Sequence, residues 1–397
     1  NEEAYEKKTL LTKVIGNIDD SSEIKLSYTA NRSDNVLYPN TPMDADYDDS
    51  DIYSLSYEIR DLGTYSKKLN FDYYYSYVDH PMSTTLRNNA VASNYKTNHM
   101  ESSIWGTKLK NGLETSFGYL TLGADVSQRN WKGQYEYLTN PTTISLTSTD
   151  TLNKALFTKL EQKVGKFDID YGLRYDNTNI DATDSAYNDR SYDDLSANIF
   201  AIYNSDSYTK YFAGIGKSMR VPDARELYYS ANIGNDSLAQ TKNYEIDLGF
   251  EKILGNFKIK SKIFYSILED YIYYNSSSTK FENIDAKIYG AQISGFYYFD
   301  KDLSLDYGFS YQRGQKDEAL IGQTDKDLAE IPPLKTNMAL NYEYSSSKIT
   351  AEMIAVDSWS NFDDDNGEQE LAGYAVFNLK YKNKINKNIE LTLGVDN

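Results

Sequence analysis

The chain has no cysteine, only two histidines and seven prolines, and no long apolar run. Without cysteine, disulfides and thiolate metal sites are excluded within these residues. Nowhere do apolar residues approach the roughly 20 in succession that a membrane helix needs, so a helical membrane protein is excluded as well. Positive charge is also scarce. Lys and Arg number 41 against 59 Asp and Glu, a formal charge of -18. That balance argues against a nucleic-acid partner, because phosphate binding relies on Lys and Arg. Acidic runs such as Asp44, Asp46, Asp48 and Asp49, or Asp363, Asp364 and Asp365, read as solvated loops. The first run lacks the glycine-punctuated spacing of a dedicated Ca2+ loop.

What the chain has in abundance is tyrosine, 38 residues beside 15 Phe and 3 Trp, a composition suited to interfacial aromatic girdles and to a polar lumen. It also has a strict period of two. Between Lys68 and Val78 the odd positions are Leu69, Phe71, Tyr73, Tyr75 and Tyr77, whereas Asn70, Asp72, Tyr74 and Ser76 fill the even ones. Phe167, Ile169, Tyr171, Leu173 and Tyr175 repeat the pattern. Phe257, Ile259, Ile263 and Tyr265 alternate with Lys258, Lys260 and Lys262, and lysines on one face are tolerable only where they meet water or reach the interface. A strand with two such different faces lies between two solvents. Repeated along the chain, it predicts an all-β fold, a transmembrane antiparallel β-barrel. A soluble, Tyr-rich β-sandwich array is the alternative.

Short polar turns alternate with long polar loops. Short ones are predicted near Asp61 to Ser66, Lys110 to Leu113, Val164 to Lys166 and Ser345 to Ser347, among others. Long ones are predicted near Asn31 to Ser50, Pro81 to Tyr95, Asn130 to Thr151, Met219 to Thr241, Gly314 to Leu334 and Ser358 to Glu370. The segments between them make about 18 strands, with the short rim periplasmic and the long rim extracellular. The first strand then runs toward the periplasm and the last away from it, whereas a bacterial barrel normally starts and ends on the periplasmic side. Residues 1–397 are therefore expected to be one partial barrel domain, lacking its first strands, its C-terminal strand and an N-terminal plug, out of about 22 strands when complete.

Three segments carry a family likeness. Gly216-Lys217-Ser218-Met219-Arg220-Val221-Pro222-Asp223-Ala224-Arg225-Glu226-Leu227-Tyr228 resembles the "G-x-S-x-R-x-P-x-x-x-E-L-Y" stretch of TonB-dependent receptors. Asn235-Asp236-Ser237-Leu238 and a strand from Asn243-Tyr244-Glu245 follow, as in that family, and Leu393-Gly394-Val395-Asp396-Asn397 looks like the start of its "G-V-x-N-L-F-D" signature. Within the family the likeness is closest to TonB-dependent copper receptors. Tyr77-Val78-Asp79-His80-Pro81-Met82 with Leu86-Arg87 is similar to their "Y-x-D-H-x-M-x-x-x-x-L-R" segment. Tyr38-Pro39 with Met43-Asp44 is similar to their "Y-P-x-x-x-M-D" loop, and Ile331-Pro332-Pro333-Leu334 to their "I-P-P-L".

The resemblance implies metal ligands at His80, Met82 and Met43, facing the lumen above the plug. Parity leads to the same pair from the residues themselves: the even face beyond Lys68 is the wet one, and His80 and Met82 continue it toward the extracellular rim. Pro81, which cannot donate to a ladder, places them at a strand end. Imidazole suits several transition metals and thioether sulfur favours Cu(I), so such a pair selects copper over Mg2+ or Ca2+. His99 and Met100 form a second His/Met pair, expected to relay metal or to support the ligands from behind. Met219, Met338 and Met353 read as packing residues.

The function implied is active uptake of copper or a small copper chelate through an outer-membrane receptor, driven by the TonB–ExbB–ExbD energy-transducing complex acting on the plug. Outer-membrane lipid is the other partner, nucleic acid is not one, and copper is cargo with no catalytic cofactor. No nucleophile-base or acid pair has motif support, so no enzyme is expected. Two other readings stand beside it. One is a receptor for a ferric siderophore, a corrinoid or another metal chelate, binding through Arg225, Tyr228 and Tyr229. The other is a passive porin or adhesion barrel, which would have no plug.

Overall fold

The computed structural model describes residues 5–38, 41–87, 90–230 and 233–397; Pro39 of the Tyr38-Pro39 pair lies outside them. The described residues form one antiparallel sheet of 19 strands. In chain order these are β1 (Glu6–Asn17), β2 (Ser22–Val36), β3 (Asp44–Tyr47), β4 (Asp49–Arg60), β5 (Ser66–Ser83), β6 (Lys96–Thr115), β7 (Gly118–Tyr137), β8 (Thr143–Val164), β9 (Phe167–Ala182) and β10 (Arg190–Asn204). Then come β11 (Thr209–Arg220), a short helix α1 (Ala224–Tyr228), β12 (Thr241–Leu254), β13 (Phe257–Asn275), β14 (Lys280–Tyr298), β15 (Leu303–Lys316), β16 (Lys335–Tyr344), β17 (Ser347–Val356), β18 (Tyr374–Asn386) and β19 (Ile389–Val395). Each long strand pairs with its sequence neighbour. The four-residue β3 is the exception, set beyond the end of β4 and pairing with both β2 and β5. Without β3, 18 strands make up the wall.

Two expected connections lie elsewhere. Lys110 to Leu113 is inside β6, whose turn comes only at Ser116 and Phe117, because Leu109 and Leu113 continue the outward parity across Asn111. Asn130 to Thr151 is largely strand: β7 and β8 run on to Tyr137 and Thr143, with the turn at Asn140 and Pro141, since the Tyr- and Thr-rich flanks suit an extended chain. The ladder there bulges around Gly133.

The two faces of the wall differ as the alternation requires. Outward, Tyr28, Tyr53, Tyr75 and Trp105 stand directly opposite one another on β2, β4, β5 and β6. Their rings are close, Tyr28 to Tyr53 at 4.8 Å between centroids and Tyr53 to Tyr75 at 6.3 Å. On the short-turn side of this aromatic row the outer face carries Leu26, Leu55, Phe71, Leu109, Leu122 and Ala124. On the long-loop side it turns polar within one step, at Asp51, Ser103 and Asn130. The row thus marks the upper edge of the hydrocarbon.

The inner face holds paired charge. Arg174 bonds Asp125 at 2.7 Å and Asp176 at 2.7 Å, and Lys262 bonds Asp247 at 2.6 Å. Lys258 meets Glu251 at 3.0 Å, so the lysines of β13 take the wet face. Gly106 lies under the ring of Tyr74, where any Cβ would collide with it.

The buried apolar core sits among the long loops and the strand ends that carry them. The segment directly after β11 folds inward through α1, whose Asp223 and Glu226 form a reciprocal capping box while Arg220 holds the Glu226 carboxylate at 2.8 Å. Leu227, Tyr228 and Leu238 then pack against Leu146, Ile180, Tyr192 and Ile272. Two acidic runs are only partly solvated. Asp44 is 2% exposed and Asp363 is fully buried, because each is met by a cation from a distant segment, Arg87 at 2.9 Å and Lys316 at the end of β15 at 2.7 Å.

Candidate metal site in the barrel lumen

Strand β5 does not stop at Val78 but carries His80 and Met82 before ending at Ser83. Both keep the even parity of Tyr74, and so face inward. Across the ladder His80 stands opposite Met100 and Met82 opposite Asn98, while Pro81 between them is buried and opposes His99. On its other side Met82 pairs with Ala45 of β3, which brings the preceding loop over the strand end. One hollow of ≈ 480 Å³ is lined by Met43, His80, Met82 and Met100, together with Arg129, Trp131, Arg225 and Tyr229.

Three of these side chains have specific neighbours. Arg87 donates to the carbonyl oxygens of Tyr38 and Met43, both at 2.8 Å, and pairs with the Asp44 carboxylate. The two motif segments of the copper-receptor likeness, Leu86-Arg87 and the loop from Tyr38 to Asp44, therefore meet through this guanidinium. The Met100 sulfur lies over Gly133, where an added methyl would overlap it, and 3.7 Å from the Ser145 hydroxyl. The His80 Nδ1 lies 3.4 Å from an Asp48 carboxylate oxygen.

The far side of the hollow comes from the segment after β11. The Tyr229 hydroxyl lies 2.6 Å from that of Tyr135, and Asn98 donates to it at 3.3 Å. Burial first, and then the bond to Tyr229, push the Tyr135 phenol well above its ordinary range, so it stays neutral. Arg225 stacks 5.2 Å from the Tyr229 ring. Tyr228 does not reach the hollow. Its ring is fully buried and its hydroxyl donates to the Asn188 carbonyl at 2.8 Å.

His99 and Met100, adjacent in β6, part company because successive strand residues point to opposite faces. Met100 joins the lumen hollow. His99 is on the outer face, its Nε2 2.7 Å from Asp79 and its Nδ1 3.5 Å from Glu136. Burial would lower its pKa, but the hydrogen bond and field of Asp79, with Glu136 and Glu101, raise it overall. Met338 and Met353 face each other across β16 and β17, and Met219 lies on β11, all away from the hollow.

One imidazole and three thioethers on a single hollow make a soft donor set, suited to a transition ion and unsuited to Ca2+ or Mg2+. Arg87 and Asp48 were not singled out from sequence. The "L-R" of the motif contained the first, and only the fold brings the second to His80.

Among solved structures the chain is similar to a copper transporter, OprC, at 20% identity and a TM-score of 0.86, over 99% of this chain and 65% of that one. It is similar to the FrpB iron transporter from Neisseria meningitidis at 16% identity and a TM-score of 0.78, over 99% of this chain and 67% of that one. It is also similar to the siderophore receptor PiuA from Acinetobacter baumannii at 12% identity and a TM-score of 0.73, over 99% of this chain and 70% of that one. The chain thus spans about two thirds of the length of these relatives, and just under that for the copper transporter. No curated protein sequence matches it. The profile of the TonB dependent receptor-like β-barrel family matches residues 7–397, and the chain belongs to that family of outer-membrane β-barrels.

Proposed function

We propose that the chain is the barrel of a receptor that takes up copper, as the ion or a small chelate, by TonB-dependent active transport. His80, Met82 and Met43 are the lumen ligands, and Met100 is a fourth donor. The observation that carries this reading is the meeting of one imidazole and three thioethers from separate segments on one hollow. Copper is cargo here. It passes from these donors inward when the TonB–ExbB–ExbD complex pulls on a plug within the lumen, and no bond-making catalysis is involved. The likeness to the copper transporter lends support at the level of fold.

The test is copper content of the intact receptor purified from native membranes, with and without His80→Ala and Met82→Ala. Stoichiometric copper in the unsubstituted receptor and its loss in the double variant are expected. A double variant that binds copper equally well would sink the assignment. A second reading, uptake of a ferric siderophore, a corrinoid or another metal chelate, is favoured by Arg225 and Tyr229 on the same hollow. It predicts a receptor with no stoichiometric copper, and with chelate binding that falls on Arg225→Ala.

A further inference from the structure

The outer face behind the lumen hollow carries an unusual row. Asp49 on β4 stands directly opposite Asp79 on β5, Asp79 opposite Glu101 on β6, and Glu101 opposite Lys132 on β7. Like charges at facing positions of neighbouring strands destabilise a sheet. Here three carboxylates occupy three consecutive facing positions, and Glu136 adds a fourth beside them. Lys132 answers Glu101 at 2.5 Å and Arg32 approaches Asp49 at 3.5 Å, which leaves negative charge in excess at Asp79. Into this gap His99 projects.

An imidazole nitrogen of His99 and one oxygen each of Asp79 and Glu101 lie within 4.8 Å of one another. We propose that Asp79, His99 and Glu101 form a second metal site, on the outer face of the wall, for a borderline divalent ion of the Zn2+ class. The nitrogen donor selects against Ca2+ and Mg2+, which take oxygen ligands, and the lack of any sulfur sets the site apart from the soft hollow behind it. Glu136, 3.5 Å from Nδ1, supplies the carboxylate that orients a ligating histidine. The Tyr47 and Tyr77 hydroxyls donate to Asp79 at 3.1 Å and Glu101 at 2.9 Å, fixing those carboxylates in turn. Tetrahedral Zn2+ with bonds of about 2.0–2.2 Å needs its donors about 3.4 Å apart. Side chains with roughly a quarter of their surface exposed close that difference by small rotations. The site lies four residues along β5 and β6 beyond the Tyr75 and Trp105 pair, hence above the hydrocarbon and open to the medium.

The inference is independent of the copper reading, and one titration separates them. The intact receptor in detergent is titrated with Zn2+ by calorimetry, with retained SDS-resistant migration as the check on folding. One Zn2+ equivalent is expected that His99→Ala abolishes, that Glu136→Gln weakens by about 10–100-fold, and that His80→Ala with Met82→Ala leaves intact. Zn2+ binding unchanged in His99→Ala overturns the site, as does an equivalent lost only with His80 and Met82. Should His99→Ala fail to fold, Cu2+ bound to the His80→Ala receptor is examined by pulsed electron paramagnetic resonance. His99 is then the remaining histidine of these 397 residues. Imidazole nitrogen coupling that disappears when His99→Gln is added to His80→Ala supports the site; its absence from the first receptor or its persistence in the second refutes it.

Discussion

Arg87 does for the lumen hollow what no ligand can do for itself: it ties the loop that bears Met43 to the end of β5. Replacing it with Ala strips three acceptors of one donor and leaves the buried Asp44 carboxylate without its cation. A charged hydrogen bond of this kind is worth about 2 kcal/mol, and the loss is local. Amide hydrogen exchange at Met43 to Ala45 should quicken by more than tenfold in Arg87→Ala, and copper affinity should fall with it, although no proposed ligand has been touched. Gly133→Ala should act from the other side, displacing the Met100 thioether and weakening binding while the wall stays folded. His80 and Met82 were legible from sequence because parity is local, each being placed by residues a few positions earlier. Asp44 and Asp363 were not. Their partners lie tens of residues away, 47 in the case of Lys316 and Asp363, and an acidic run looks solvated until the fold delivers a cation to it.

At the scale of elements the loops form two assemblies of different chemistry. The segment after β11 is held by its capping box and by apolar packing, so Asp223→Ala should cost about 1 kcal/mol and loosen α1 alone. This would be measured as faster amide exchange at Glu226. The loops after β13, β15 and β17 are tied by a buried polar knot. Tyr273 donates to Asp363 at 2.6 Å, Lys316 meets the same oxygen, and the Ala329 amide donates to the Tyr273 hydroxyl at 2.8 Å. Asp363→Ala leaves a buried ammonium unpaired and should cost about 3–5 kcal/mol, seen as lost protection at Ala329. Pairing Lys316→Met with Asp363→Leu should recover most of it.

Acid should act on the same knot from its edge. Backbone amides of Asp325 and then Thr324 hold the Asp365 carboxyl below its ordinary value of 3.8. A depressed carboxyl stabilises the folded loops above its unfolded pKa and ceases to do so as pH falls through the folded one. The amides of Thr324 and Asp325 should therefore stay protected at pH 5 and open only below the normal carboxylate range. Asp365→Asn should remove that dependence. The two displaced connections, Lys110 to Leu113 and Asn130 to Thr151, show where element boundaries resist reading. Lys110 and Asn111 look like a turn because they are polar and adjacent, whereas in the fold Asn111 stands between Leu69 and Leu122 on the outer face.

For the whole molecule, the aromatic row fixes depth and sidedness together. Trp105 stands in that row on the outer face, whereas Trp131 lines the lumen hollow. Receptors retaining one or the other tryptophan, reconstituted with brominated phospholipid, should show quenching of Trp105 and not of Trp131. The reverse result would mean that the wall is inside out. Strand number and direction were readable from the rhythm of turns and loops, since each turn reverses the chain. The short β3 was not, because four residues carry too little alternation to announce themselves.

The two faces of β5 and β6 are separated by nothing but the reversal of side chains at each residue. Deleting one residue between Ser66 and Tyr75, with the ladder re-paired above it, would turn Asp79 toward the lumen and His80 toward the outer medium. Within a few ångströms a carboxylate would come to stand beside Met100, and an imidazole and a thioether beside His99 and Glu101, without changing a single residue of β6. Which donors share a face is thus a property of counting: the same residues, offset by one, make two different sets.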